Sequence, residues 1–167
     1  MYRRIEDFLR NWEYEAESTK KVLASLTDAT LKQAVSNDHR TLGRIAWHII
    51  TTIPEMMGRT GLKITEVAAD SPMPKSAAEF KKAYGDVSKS LQDLVTGTWQ
   101  DDTLKVFDDM YGEQWQRGAS LRILISHEIH HRAQMTVLMR QAGLPVPGVY
   151  GPSLEEWSGY GAKPPEI

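Results

Sequence analysis

Along the first 26 residues, Ile5, Phe8, Leu9, Trp12, Ala16, Leu23 and Leu26 recur at spacings of three, four and seven. That stripe fits one face of a helix with 3.6 residues per turn. Glu6, Arg10, Glu13, Glu17 and Lys20 fall on the other side. The polar run Thr27–Arg40 predicts a connection with little structure. A second helix is expected from near Thr41 to about Gly58, buried through Leu42, Ile45, Ala46, Ile49, Ile53 and Met56 or Met57. Pro54 lies inside it and should kink it or end its regular hydrogen bonding. Gly61, Pro72 and Pro74 mark 58–75 as a long loop.

Ser76-Ala-Ala-Glu79 is a capping-box pattern. It predicts a third helix to about Thr96, with Phe80, Tyr84, Val87, Leu91, Leu94 and Val95 inward and Gly97 as terminator. The period breaks from Thr98 to Arg117, where Leu104–Phe107 and Glu113–Trp115 flank Asp-Asp-Met-Tyr-Gly, which suggests a small hairpin or irregular excursion. Ser120 reads as the cap of a fourth helix to Ala142, closed by Gly143 with Pro145 and Pro147 behind it. Ser153-Leu-Glu-Glu156 suggests one last short turn. Four amphipathic helices without a convincing sheet or repeat predict an all-α four-helix bundle.

Composition narrows what such a bundle does. The 167 residues fit one domain, 1–167, and the 41% apolar and 25% charged fractions are ordinary for a globular chain. The net charge of −2 offers no excess of cations for phosphates, which argues against nucleic acid as a partner. No segment approaches the roughly 18–20 apolar residues of a membrane span, and the charged N-terminus has no signal-peptide core. A cytoplasmic location without membrane contact is therefore expected. The chain has no cysteine, so a transition metal would have to be held by His, Asp or Glu.

The five histidines are His39, His48, His127, His130 and His131. His127 and His131 stand four apart on the fourth helix, about 40° apart in direction, so both imidazoles share a face while His130 points elsewhere. Gln134 extends that face. Leu124, His127, His131 and Met135 read as one inward row. Unpaired imidazoles there would be costly. A metal, hydrogen bonds or partial exposure would each relieve that cost, and spacing does not choose among them. His48 flanks the buried stripe of the second helix and faces the pair if those helices are neighbours; otherwise it is a hydrogen-bonded core histidine.

His127-Glu-Ile-His-His131 also spells H-E-x-x-H, the zinc-protease helix in which Glu128 would be the general base. The context opposes it. Gln134 stands where the extended motif has glycine, and the nearest acidic third ligands, Glu155 and Glu156, lie beyond Pro145 and Pro147. Glu128 points about 100° away from the ligand face. It is read as a surface carboxylate or as a group that, like Gln134, orients a ligand imidazole.

The segments Thr41-Leu-Gly-Arg-Ile-Ala-Trp-His48-Ile and Ile125-Ser-His127-Glu-Ile-His-His131-Arg-Ala-Gln134 resemble the DinB/YfiT-like family, whose pattern has one His on the second helix and H-x-x-x-H-R-G-Q on the fourth. Ala133 replaces the usual Gly, and the proline-rich segment from Leu144 is also typical. The likeness spans roughly residues 1–155. It implies a four-helix bundle holding one divalent transition metal, zinc or nickel, on His48, His127 and His131, often as a homodimer. Some relatives transfer low-molecular-weight thiols such as bacillithiol or mycothiol, or use a thiol cofactor in isomerisation; many have no established activity.

The resulting expectation is a metal-dependent thiol S-transferase acting on a small molecule with a low-molecular-weight thiol cosubstrate. A non-catalytic metal- or ligand-binding stress protein and a metal-dependent hydrolase are the alternatives. No catalytic side chain is assigned. Trp47, Trp99, Trp115 and Tyr150 are read as mouth-lining or packing residues, and Arg132 as an anion anchor or a surface ion pair. Tyr2, Tyr14 and Val22, off the main stripe of the first helix, are weak support for a dimer.

Overall fold

The computed structural model describes residues 1–166. It contains four helices: α1 (Ile5–Ala24), α2 (Leu42–Gly58), α3 (Ala77–Thr98) and α4 (Arg117–Gln141). A hairpin of β1 (Phe107–Met110) and β2 (Glu113–Gln116) precedes α4. α1 packs on α3 and α4, and α2 packs on α3 and α4, so the helices close into a bundle. Phe8, Trp12, Leu42, Ile50, Ile53, Phe80, Tyr84, Leu91, Leu121 and Ile125 are buried between them. No helix among the described residues is long and apolar enough to cross a membrane.

Several helix starts are sealed by distant parts of the chain. The Ile5 amide at the start of α1 donates to Asp101 Oδ1 at 2.8 Å, and the Ala77 amide at the start of α3 donates to Asp28 Oδ1 at 2.7 Å. Both carboxylates satisfy amides that a helix leaves free and suit its positive end. Glu79 accepts from the Ser76 amide at 3.1 Å, as the capping-box pattern requires. Asp28 belongs to a 3-10 turn, Asp28–Lys32, so the run Thr27–Arg40 is more ordered than its polarity suggests.

Other boundaries shift for local reasons. α3 passes through Gly97 and ends at Thr98. α4 begins at Arg117, three residues before Ser120, because β2 leads straight into it; the Ser120 hydroxyl is buried and donates back to the Gln116 carbonyl. Arg117 is held there by both carboxylate oxygens of Asp108, at 2.8 and 3.0 Å. At Gly118 a Cβ would stand 2.2 Å from the Tyr2 carbonyl oxygen, so only glycine admits the N-terminal segment, whose Tyr2 amide donates to Gly118 O at 2.9 Å. α2 continues through the buried Pro54 to Gly58. Ser153–Glu156 forms the expected turn, with Glu156 accepting from the Ser153 and Gly148 amides, and leads into the last 3-10 turn, Trp157–Tyr160.

The hairpin turns at Tyr111-Gly112, both at positive φ (62° and 88°), the requirement of a tight two-residue turn. Tyr111 is held by α2. Its hydroxyl donates to Glu55 Oε2 at 2.6 Å, and the Arg59 guanidinium lies 4.3 Å from its ring centre.

A polar network crosses the bundle interior. Arg132 of α4 is buried, and its Nη2 donates to Glu15 Oε2 of α1 at 2.6 Å. Its Nη1 donates to the Glu15 carbonyl at 3.0 Å and to Thr19 Oγ1 at 3.1 Å. Thr19 and Tyr84 hydroxyls both donate to Glu128 Oε1 at 2.6 Å. Two expectations are thereby corrected. Arg132 is neither an anion anchor nor a surface residue, because its guanidinium is consumed inside the fold. Glu128 is neither exposed nor hydrogen-bonded to a ligand imidazole, because it closes the α1–α3–α4 seam.

The apolar residues of α1 off its main stripe are also used within the chain. Val22 is buried, Tyr2 packs edge-on against Phe8, and Tyr14 stacks on Tyr150 with ring centres 6.0 Å apart.

Removing one partner of a buried pair strands the other's charge. Arg132→Met is expected to cost about 3–5 kcal/mol, and Glu15→Leu combined with it should recover most of that loss. Urea denaturation of the single and double variants checks both.

Candidate metal centre

α2 and α4 are neighbours, which brings His48 opposite the face that carries His127 and His131. The ring centres lie 4.8 Å apart for His48 and His127, 4.7 Å for His48 and His131, and 4.4 Å for His127 and His131. One nitrogen from each ring falls within 4.8 Å of the others. His48 Nε2 and His127 Nε2 approach to 3.1 Å. Tetrahedral imidazole ligands about 2.0–2.1 Å from an ion would stand roughly 3.3 Å apart, so the spacing suits one small cation. No carboxylate belongs to the group among the described residues.

The placement follows from helix geometry. Glu128 and Arg132 are four apart and buried toward α1 and α3. His127 and His131 precede each of them by one residue, about 100° around the helix. Fixing the Glu128–Arg132 face in the bundle interior therefore turns the histidine face toward α2.

Desolvation, with the neighbouring imidazole charges second, holds His48 and His127 down to about 4. His131 is lowered by burial, partly offset by Gln134. The rings are thus neutral at pH 7 and present lone pairs. Gln134 Oε1 lies 2.7 Å from His131 Nδ1, the contact that fixes this ring and leaves Nε2 free to ligate. His130 is exposed and outside the group, and His39 is exposed with its Nδ1 2.6 Å from Ser36 Oγ.

The H-E-x-x-H reading fails on geometry. Glu128 Oε1 is occupied by Thr19 and Tyr84, and Oε2 is buried without a hydrogen-bond partner. Burial pushes this carboxyl up to about 7. It faces the core, away from any substrate of the histidines. The aromatic residues divide similarly. Trp47 and Trp99 are buried, Trp47 Nε1 donating to the Ser71 carbonyl at 2.8 Å; Trp115 belongs to the hairpin; the Tyr150 hydroxyl covers Glu15 and Arg132.

Beside the group lies a cleft of about 510 Å³, lined by His131, Gln134, Val137 and Leu138 of α4, Ile45 of α2, and Val35, Asp38, His39 and Arg40 of the segment before α2. Local patterning does not single out these loop residues as part of a site. Their signal was Asp38-His39-Arg40 just ahead of the helix that carries His48.

The histidine pKa values carry a sign. His48 and His127 take up protons near 6.5 in the unfolded chain and only near 4 in the fold. Between those values the unfolded chain binds more protons, so their contribution to stability falls as pH drops from about 6.5 to 4. In metal-free protein, His48→Asn/His127→Asn should gain stability relative to wild type across that window. Urea midpoints measured at intervals from pH 7 to pH 4 check it.

Comparisons with known proteins agree with this architecture. The model of the DinB family matches residues 1–166. The uncharacterised protein YrdA of Bacillus subtilis (strain 168) is 43% identical over 167 residues, covering all of both chains. A crystal structure of a DinB-like protein from Bacillus cereus ATCC 10987 superposes with a TM-score of 0.86 at 47% identity, over 90% of this chain and 100% of that one. A DinB-like protein of Bacillus subtilis, YjoA, shares the fold alone, at 15% identity and a TM-score of 0.63, over 82% of this chain and 92% of that one. A whole-length family match, a full-length relative and the same bundle in the Bacillus cereus protein together place this chain in the DinB family.

Proposed function

We propose that this chain is a metal-dependent thiol S-transferase, with one divalent ion, zinc or nickel, held by His48, His127 and His131. The observation that carries the reading is the donor set: three neutral imidazoles, no protein carboxylate and no protein thiol, beside an open cleft. A divalent ion in such a set keeps its positive charge and an open position, and lowers the pKa of a thiol or water placed there.

The chain's own residues then have defined tasks. His48 reaches the site from α2, and His127 and His131 reach it from α4, so substrate is held where the two helices meet. Gln134 fixes the His131 ring through Nδ1. With no cysteine in the chain, the sulfur arrives as a low-molecular-weight cosubstrate. Its S–H proton is lost to solvent, the sulfur forms a bond to the electrophilic carbon, and the leaving group departs with the bonding electron pair. Hydrolysis is ranked lower because it needs a base to activate water, and Glu128, the acid supplied by the helix motif, points into the core. The same proposal includes a homodimer in the cytoplasm, its assembly to be read by light scattering.

Wild type without an affinity tag should carry close to one divalent ion per chain, and His127→Ala should lose it. Gln134→Ala should retain the site but weaken the metal about 10–100-fold in chelator competition. In cobalt-substituted protein, bacillithiol or mycothiol should perturb the visible spectrum, and a chromogenic electrophile such as 1-chloro-2,4-dinitrobenzene should be consumed only when thiol and metal are both present. Metal binding without any thiol response would leave a non-catalytic metal-binding protein. No metal in wild type would overturn the reading.

A further inference from the structure

The wall of the cleft beside the histidines holds an arginine without an ion-pair partner among the described residues. Arg4, Arg10, Arg59, Arg117, Arg132 and Arg140 each form an ion pair with a carboxylate. Arg40, in the cleft wall, has no such partner among the described residues. Neither has Arg44, which precedes His48 by one helical turn on the same face. Two guanidinium groups without an ion-pair partner therefore lie beside the three histidines, Arg40 in the cleft wall and Arg44 one turn from His48. With a cation present, like charges would accumulate on one side of the bundle. An anion in the cleft removes that repulsion.

The lining narrows the class of anion. Val35, Ile45, Val137 and Leu138 give the cleft an apolar wall, which suits a carbon chain rather than an inorganic ion. The volume, about 510 Å³, is that of a small organic molecule. Asp38 shares the lining and repels a multiply charged phosphate more strongly than a singly charged carboxylate, which one guanidinium matches through paired N–H donors. His131 and Gln134 line the same cleft as Arg40, so a molecule anchored at Arg40 lies beside the histidine group.

We propose that this cleft binds a small carboxylate-bearing substrate, with Arg40 holding the carboxylate, the apolar wall holding the chain, and the reacting end lying against His131. That the reacting end is a thiol rests on the thiol-transfer reading; the carboxylate anchor does not. Arg40 is a binding residue in this scheme and takes no part in proton transfer.

Zinc-loaded protein is titrated calorimetrically with ω-mercaptocarboxylates of three to six carbons and with neutral mercaptoalcohols of the same lengths. At the best-fitting length, wild type is expected to favour the carboxylate about tenfold, the worth of one charge-assisted contact. Arg40→Gln should bring the two series within about twofold, and Arg40→Glu should invert the preference, without changing zinc content or mercaptoalcohol affinity. Chelation of zinc by the probe alone would survive in Arg40→Gln, so a preference that persists there overturns the proposal, as does equal affinity in wild type. Hexanoate and hexanamide, which carry no sulfur, form the second arm. Arg40-dependent preference for hexanoate over hexanamide, with mercaptocarboxylates bound no tighter than hexanoate and mercaptoalcohols not bound, sustains the carboxylate cleft and overturns the thiol reading. Thiols bound without any carboxylate preference do the reverse.

Discussion

The buried contact between Arg132 and Glu15 sets the rotation of the last helix, and with it the geometry of the site. A guanidinium out of water is costly unless it is paired and its donors are occupied. Here one carboxylate, one carbonyl, the Thr19 hydroxyl and the Tyr150 hydroxyl take up that demand. One turn earlier, Glu128 meets Thr19 and Tyr84, so α4 is fastened to α1 and α3 at two successive levels. His127 and His131 are the residues just before these anchors, and a helix leaves them no direction but toward α2.

The two halves of α4 thus divide polar chemistry by face. Charged side chains are buried in the bundle interior, and the half-buried imidazoles gather toward α2, with His131 lining a cleft. The hairpin supports the same arrangement from the other side. Tyr111 accepts an unusual backbone angle because Glu55 and Arg59 of α2 hold its hydroxyl and its ring. The segment before α2 adds the cleft's outer wall, and its unpaired Arg40 gives that wall a charge to which a substrate can respond.

Much of this was legible in the amino-acid order. Hydrophobic periodicity located α1, α2 and α3, because the stripe of each follows a local 3.6-residue repeat, and terminator residues located the end of α4. The capping pattern at Ser76–Glu79 and the broken period before α4 were equally local, and the i, i+4 spacing of His127 and His131 fixed their shared face. The same reasoning misplaced Glu128 and Arg132. Pattern reading sends charges to the surface, and it has no means of seeing that Arg132 finds Glu15, 117 residues earlier, at 2.6 Å. It also took Gly97 and Ser120 as boundaries, where packing carries α3 one residue further and β2 delivers α4 early.

The sequence by itself therefore determined the helices, the ligand-capable residue types and the exclusion of a protein thiol, since each depends on residues close in the chain or on composition alone. Only the tertiary structure decided that α2 lies against α4, that His48 joins the pair across that contact, and that Arg40 rather than Arg132 faces the cleft. Those outcomes depend on which helix faces meet and which charges are neutralised on folding. Both are set by contacts between residues far apart in the chain, which no local spacing encodes.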